Sequence, residues 1–419
     1  MAIAFLVPVA KLSHAIEFLF VGLLVLWVSV RLRNQDFHFK RTPLDLPILS
    51  FVAWVLVTVP FAFDPSYSFA EWRKTILLFI MFYFVVNVIQ NESQVKNILV
   101  AFVFGIVLMS AFGIVEHFAK ADSLFDKTSH AHSLTQSGQW FSSFLVMSIP
   151  FIWMFYLEEN GQRAKLLVTS LFFIVLAALF LSHTRGAWLA FFSQLAVLWF
   201  LGLKNKWLKW SFPVFICGLI LIGGQVFQGD QNDIVQDTSF ASLESTKIRL
   251  GTWKIAFEQI MENPIMGFGY GNHTFQKINE EIMVGSGNVP STGMHLHNVF
   301  ISMIYGVGLT GFVFYVVIFF FILRTAIDGV QLYRGTFVGN LGLGVLLMVV
   351  GVITRNMFDN MLVGTLAYLF WLLTGLYFAL WLRVKIIEEG FHQVRSSKEG
   401  LMAKWFKKFH LACNERMEG

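Results

Sequence analysis

The chain alternates between long hydrophobic stretches and short polar turns. A helix needs roughly 20 mostly apolar residues to cross a bilayer, and inside it every backbone N–H and C=O must be paired. By that measure spans fall near 14–31, 46–63, 74–91, 96–117, 139–157, 165–183, 187–203, 211–228, 298–323, 337–355 and 361–383. Residues 1–12 are apolar but short and contain Pro8; read as a short or tilted first span, they bring the total to about twelve. The expected fold is therefore an all-α polytopic membrane protein. Its divisions are helices over 1–228, one large external loop over 229–297, three more helices over 298–383 and a basic tail over 384–419.

The external loop is the one long break in the pattern. Ser245 to Met261 has the spacing of an amphipathic helix, with Ile248, Trp253, Ile255, Ala256, Ile260 and Met261 available to press on the bundle or the bilayer. Asn263-Pro264 ends it, because proline disfavours helix in the residue before it. Gly267, Gly269 and Gly271 then suit a tight irregular turn where backbone approaches something closely. The loop closes on His295-Leu296-His297-Asn298, the last polar residues before the next span.

Composition sharpens the class. Hydrophobic residues make up 56% and charged residues only 14%, against roughly a quarter charged in soluble domains. The net charge of +5 comes from short basic clusters between apolar runs, which is no nucleic-acid footprint. With the N-terminus in the cytoplasm, 20 of the 31 lysines and arginines fall inside, so the polar loop lies outside and both ends lie inside. Leu401 to Phe409 reads as a basic amphipathic helix on the anionic inner leaflet. No basic segment precedes the apolar start, so no cleavable signal peptide is expected. Cys217 and Cys413 make neither a disulfide framework nor a metal spacing.

Few outer residues carry chemistry. Arg185, in the tight turn Ser182-His183-Thr184-Arg185-Gly186, sets a guanidinium at the outer interface that so short a hairpin does not need, unless it is a snorkelling charge at a helix end. Arg249, four residues before Trp253, is either a charge out of place or a solvated one. His295 and His297 flank Leu296 with no third and fourth ligand nearby in sequence, so no metal site is expected there. Asn298, Trp253, Arg73 and Lys74 are further candidates for substrate contact, the last two as interfacial anchors or as extra phosphate ligands. His130 and His132 read as water-facing, and Arg355 and Asp359 as an ion pair. Gly308 and Gly311 permit close backbone packing early in the span after His297.

His297-Asn298, the ten residues between His297 and Gly308, and Gly308-x-x-Gly311 resemble the signature of the O-antigen ligase and Wzy polymerase superfamily. Thr184-Arg185-Gly186 resembles that family's arginine between two spans. Arg249-x-x-x-Trp253-x-x-Ala256 with Asn263-Pro264-Ile265-Met266-Gly267-Phe268-Gly269 resembles its external-loop motif. The likeness runs from about residue 165 to 380, while the N-terminal third matches only in hydropathy.

The resemblance implies a GT-C-like bundle in the bacterial inner membrane with its active site on the periplasmic face. The implied reaction moves a glycan from a polyprenyl (undecaprenyl) diphosphate to an acceptor hydroxyl, with no metal, nucleotide or other cofactor. Implied partners are the lipid-linked donor, a lipid A–core or growing glycan acceptor, and membrane lipids. Guanidinium forks suit the departing diphosphate and a neutral histidine suits the acceptor proton. Arg185 and Arg249 take the first role, His297 the second, and His295 stands as runner-up or supporting partner. Ligation onto lipid A–core is the expected reaction, with repeat-unit polymerisation as the alternative and a lipid-linked sugar flippase as the reading from another class. The near absence of ionisable groups at mid-span argues against coupled transport.

Overall fold

The computed structural model describes residues 13–36, 38–120, 133, 135, 137–201, 243–285 and 295–388. Expectations for 1–12, for the span at 211–228, for His130 and His132 and for the tail helix at 401–409 lie outside the described residues.

The described chain is helical throughout, without a strand. In order come α1 (Ser13–Asn34), α2 (Asp45–Thr58, continued by a 3-10 turn at Val59–Phe61), α3 (Pro65–Val88), α4 (Glu92–Lys120) and α5 (Gly138–Glu158). Then follow α6 (Gln162–Leu181), α7 (Arg185–Phe200), α8 (Leu243–Glu262), α9 (Thr274–Gly285), α10 (Val299–Leu332) and α11 (Phe337–Asn356). The last is α12 (Gly364–Glu388). Among the described residues, 7 helices are long and apolar enough to cross a membrane: α1, α4, α5, α6, α10, α11 and α12. The protein is a multi-pass membrane protein. Helix α3 has the length but carries Glu71, Arg73 and Lys74 near its start, and α2 with its 3-10 turn and α7 are shorter.

Helix starts follow local chemistry. Asp64 caps α3 by accepting from the Tyr67 N–H at 2.9 Å, with Pro65 in the first turn. Asn298 caps α10 by accepting from the Phe300 and Ile301 N–H groups at 2.9 and 3.1 Å. Each cap satisfies N–H groups that a helix start leaves unpaired.

The bundle has a clear centre. The most apolar window of α12 is 100% buried and that of α11 78%, against 11% for α1, whose apolar side chains point outward. Around α11 pack α5, α7 and α10. On the outside, α8 and α9 form a hairpin whose apolar faces meet over Ala256, Ile260, Phe275, Ile278 and the mouth of α10 at Leu296, Ile301 and Tyr305. Trp253 joins that cluster, whereas Ile255 and Met261 point outward, so the buried stripe of α8 is narrower than its sequence spacing suggests.

Helix α10 is not the unbroken span expected from hydropathy. At Gly308 the backbone turns to φ 68, ψ 179, a conformation open to glycine and strained for other residues. Breaking a helix in a membrane strands backbone groups that no water can reach. Here the segment after α8 meets them. Phe268 N–H donates to the Tyr305 carbonyl (2.8 Å), Gly269 N–H to Gly306 (2.9 Å), and Leu309 N–H donates to Pro264 (2.8 Å). Trp54 Nε1 donates to Val307 O at 2.9 Å. A Cβ on Gly308 would lie 1.9 Å from Ile265 O, and one on Gly267 2.6 Å from Gly306 C. The external loop is thus stitched into the break, so that Asn263 to Gly269 and the Gly308 kink form one unit.

Candidate functional site

The residues singled out in the sequence meet at the turn that joins α11 to α12. Three elements reach it. Gly186, at the start of α7, packs so closely that a Cβ there would sit 3.4 Å from Arg355 Nη1 and 3.5 Å from Phe358 Cβ. From α8, Arg249 Nη1 donates to the Phe358 carbonyl at 3.2 Å. From the connection into α10, His297 Nδ1 lies 3.7 Å from Asp359 Oδ1, and Asn298 Nδ2 donates to Met357 O at 3.2 Å. Arg355 Nη2 holds the other Asp359 oxygen at 3.3 Å. His297, Arg249 and Arg355 are thereby gathered round residues 355–360, and Arg185 adjoins through its chain neighbour Gly186.

The electrostatics are those of a half-buried cationic site with one carboxylate. Burial lowers Arg249 to about 10, opposed by Asp359 and aided by Arg355, which leaves it charged at neutral pH. Burial pushes the Asp359 carboxyl up, but His297 and Arg355 outweigh it and hold the group below the usual carboxylate range. Burial, with His297 and His273 nearby, lowers His295 below the usual histidine value, so it is neutral at pH 7. The rings of His273, His295 and His297 form a row with centroid spacings of 5.5 and 5.8 Å.

Several donors in this site are unspent. Among the described residues, Arg185 Nη1 and Arg355 Nε and Nη1 are buried without a hydrogen-bond partner. Buried polar groups are almost always paired, and a guanidinium presents five N–H donors in a fixed fork. The three open guanidinium nitrogens leave donors for an anion with several oxygens. The backbone adds a mark of its own. His297 has φ 45 and His183, two residues before Arg185, has φ 50. Left-handed backbone is uncommon for non-glycine residues and concentrates at functional sites.

The remaining candidates separate. Trp253 Nε1 donates to Leu296 O at 2.8 Å, so it fixes the histidine segment from behind. Asn298 is occupied as cap and tie. Arg73 is exposed, its guanidinium over the Phe69 ring at 5.5 Å, and it is not drawn into this cluster. Lys74 pairs with Glu71 at 2.6 Å and stands at the rim of a cavity beside the cluster. The sequence points to Arg355 and Asp359 as an ion pair; the pair is there, and Asp359 also faces His297. The signal available was the position of both residues in a short outer turn.

This geometry can be set beside known proteins. Residues 170–316 match the family model described as O-Antigen ligase. The match, with the names of the curated relatives, supports the O-antigen ligase superfamily. The matched segment runs from α6 into α10 and contains Arg185, Arg249, His297 and Gly308, whereas Arg355 and Asp359 lie beyond it. Among curated relatives, the "O-antigen ligase" of Salmonella typhimurium is 25% identical over 292 residues, 65% of this chain and 67% of that protein. The "Putative polysaccharide ligase" of Rickettsia felis is 23% identical over 297 residues, covering 68% and 69%. A similarly described protein of Rickettsia conorii is 23% identical over 275 residues, covering 63% and 64%. These likenesses support a ligase-type glycosyltransferase.

Proposed function

We propose that this protein transfers a glycan from a polyprenyl diphosphate to an acceptor hydroxyl at the periplasmic face of the bacterial inner membrane, with lipid A–core as acceptor. The observation that carries the reading is the meeting of His297 with Arg249 and Arg355 on the 355–360 turn, with open guanidinium nitrogens on Arg355 and on Arg185, whose neighbour Gly186 packs on Arg355. The names of the Salmonella and Rickettsia relatives favour ligation over polymerisation.

In this reading the acceptor oxygen attacks the anomeric carbon while the bond from that carbon to the diphosphate oxygen breaks. Negative charge grows on the departing diphosphate, and the guanidinium groups of Arg185 and Arg249 receive it, with the open donors of Arg355 beside them. Donors placed in advance where charge develops usually give the largest single contribution to such a step. The acceptor proton passes to His297. Asp359 faces Nδ1 and favours the tautomer that carries its proton there, leaving Nε2 to accept. A single displacement inverts the sugar carbon.

The test is transfer in vitro by the purified full chain. It uses a polyprenyl-diphosphate-linked glycan and lipid A–core, with EDTA present, comparing wild type with His297→Ala and Arg249→Ala. Wild type is expected to transfer with inversion, and each variant to lose about 10²–10⁴ in kcat. Unchanged rates in both variants would remove the site assignment. Abolition of wild-type transfer by EDTA would remove the metal-independent mechanism.

A further inference from the structure

Helix α8 carries three faces rather than two. Leu250, Phe257 and Met261 are exposed, Met261 to 77%, and at about 100° per residue they fall on one narrow stripe. Thr252, Ala256 and Ile260 are buried on a second face. Gly251, Glu258 and Glu262 are exposed on a third, with Ile255 at its edge. Lys254 stands where the apolar stripe meets the polar face and pairs with Glu258 at 3.9 Å. A helix on the surface of a soluble domain needs only a core face and a water face. A separate apolar stripe asks for a third surrounding.

Helix α10 shows what that surrounding is. None of residues 295–308 is exposed, whereas Leu309, Val313, Val316 and Phe320 are, on one side of the helix. From Leu309 to Leu332 the helix is about 36 Å long, enough to cross a hydrocarbon core of roughly 30 Å. The bilayer therefore begins at Leu309. Helix α11 rises from the same inner turn for about 30 Å, and at its outer end Met357 O accepts from Asn298 Nδ2. Asn298 and Gly308 thus stand at similar heights, and the section between them runs across the bundle. Helix α8 runs beside that section: Trp253 Nε1 donates to Leu296 O, Tyr305 Oη to Gln259 Oε1, and Leu309 N–H to Pro264 O. It lies flat at the level where the bilayer begins. Ile265, 61% exposed and next to Pro264, continues the lipid face of α10 onto the stripe of α8.

We infer that α8 is seated in the outer leaflet of the membrane, with Leu250, Phe257 and Met261 among the acyl chains and Glu258 and Glu262 in water. Lipid is then the third surrounding of the helix. Such seating strengthens with the apolar area buried, and the lysine at the edge of the stripe can reach the headgroups while its stem stays apolar. Arg249 directly precedes Leu250 and donates to Phe358 O, so the leaflet sets the depth at which this guanidinium enters the site. That consequence rests on the transfer reaction proposed above; the seating itself does not.

Nitroxide labels read the seating without turnover. The full-length protein carrying Cys217→Ser and Cys413→Ser is placed in phosphatidylethanolamine–phosphatidylglycerol nanodiscs, with Phe257→Cys, Met261→Cys, Glu258→Cys or Glu262→Cys added singly and labelled. The ratio of collisions with dissolved oxygen to collisions with a water-soluble nickel chelate is expected to be at least about threefold higher at 257 and 261 than at 258 and 262. Equal ratios at all four positions would overturn the inference. Shielding of 257 and 261 from both reagents would assign the stripe to a second copy of this chain, and would overturn it too. These readings hold even if wild type transfers nothing, in which case the reaction fails rather than the seating. The link to Arg249 is tested by Phe257→Gln with Met261→Gln, two exposed positions where an amide leaves packing untouched. Transfer onto lipid A–core in nanodiscs is expected to fall at least about fivefold, since a small misplacement of a positioning group is costly. Unchanged transfer would overturn the link.

Discussion

The 355–360 turn and the cavity beside it are built from different materials. On one side, Arg185, Arg249 and Arg355 crowd a turn with a single carboxylate, and three of their N–H groups have no partner. On the other, tyrosines and amides are largely paired: Tyr270 Oη with Thr75 Oγ1 at 2.8 Å, Tyr67 Oη accepting from His273 N–H at 3.1 Å, Asn360 with Asn272. An anion can repay open charged donors, whereas a neutral ligand rewards a pre-shaped, mostly satisfied surface. The contrast teaches that cationic groups alone do not mark the whole site. Beside them, tyrosines and amides line the neighbouring cavity, with Glu17, Glu71 and Lys74 among them.

The largest expected effect falls on the charged side. If that wall serves the diphosphate, Arg249→Lys should recover little of the loss in Arg249→Ala, because an ammonium cannot reproduce the planar fork; a kcat within about tenfold of wild type would mean that only charge matters there. Next comes the backbone joint that fixes both sides. Gly308→Ala places a Cβ against Ile265 O and forces strained backbone, so it should cost about 3 kcal/mol or more of stability, read as loss of folded protein on heating.

A smaller effect is expected at the carboxylate between the sides. Asp359→Asn should lower kcat by about 10–100-fold while leaving both KM values near wild type. Asp359 also carries a pH signature. Its folded value lies below the ordinary 3.8, so its contribution to stability is full above that value and is lost as pH falls through the lower folded one. Thermal unfolding followed from pH 5 downward should therefore decline less steeply in Asp359→Asn than in wild type. The smallest effect is expected at the outer edge of the cavity side. Lys277 pairs with Asp64 at 2.7 Å, but both are more than a third exposed, so Lys277→Met should shift Tm by only about 1–2 °C. A much larger shift would mean that this pair clamps α9 over the cavity.

By itself the sequence determined where helices run, because transfer of apolar side chains into a bilayer is a local property summed over roughly 20 residues. Spans expected at 96–117, 139–157 and 337–355 correspond to Glu92–Lys120, Gly138–Glu158 and Phe337–Asn356. It also marked Arg185, Arg249 and His297, since charges and histidines at outer span ends stand out against an apolar background. What only the tertiary structure decided are the meetings between segments far apart in the chain. Arg249 reaches Phe358 across 109 positions, Trp54 caps a carbonyl 253 positions away, and Asn272 finds Asn360. Hydropathy cannot encode such pairs. They arise because a helix broken at Gly308 leaves backbone groups in a waterless setting, and the fold must bring another segment to satisfy them. That segment, Asn263 to Gly269, lies between α8, which carries Arg249, and the residues that line the cavity, so the same requirement that repairs the helix also assembles the site.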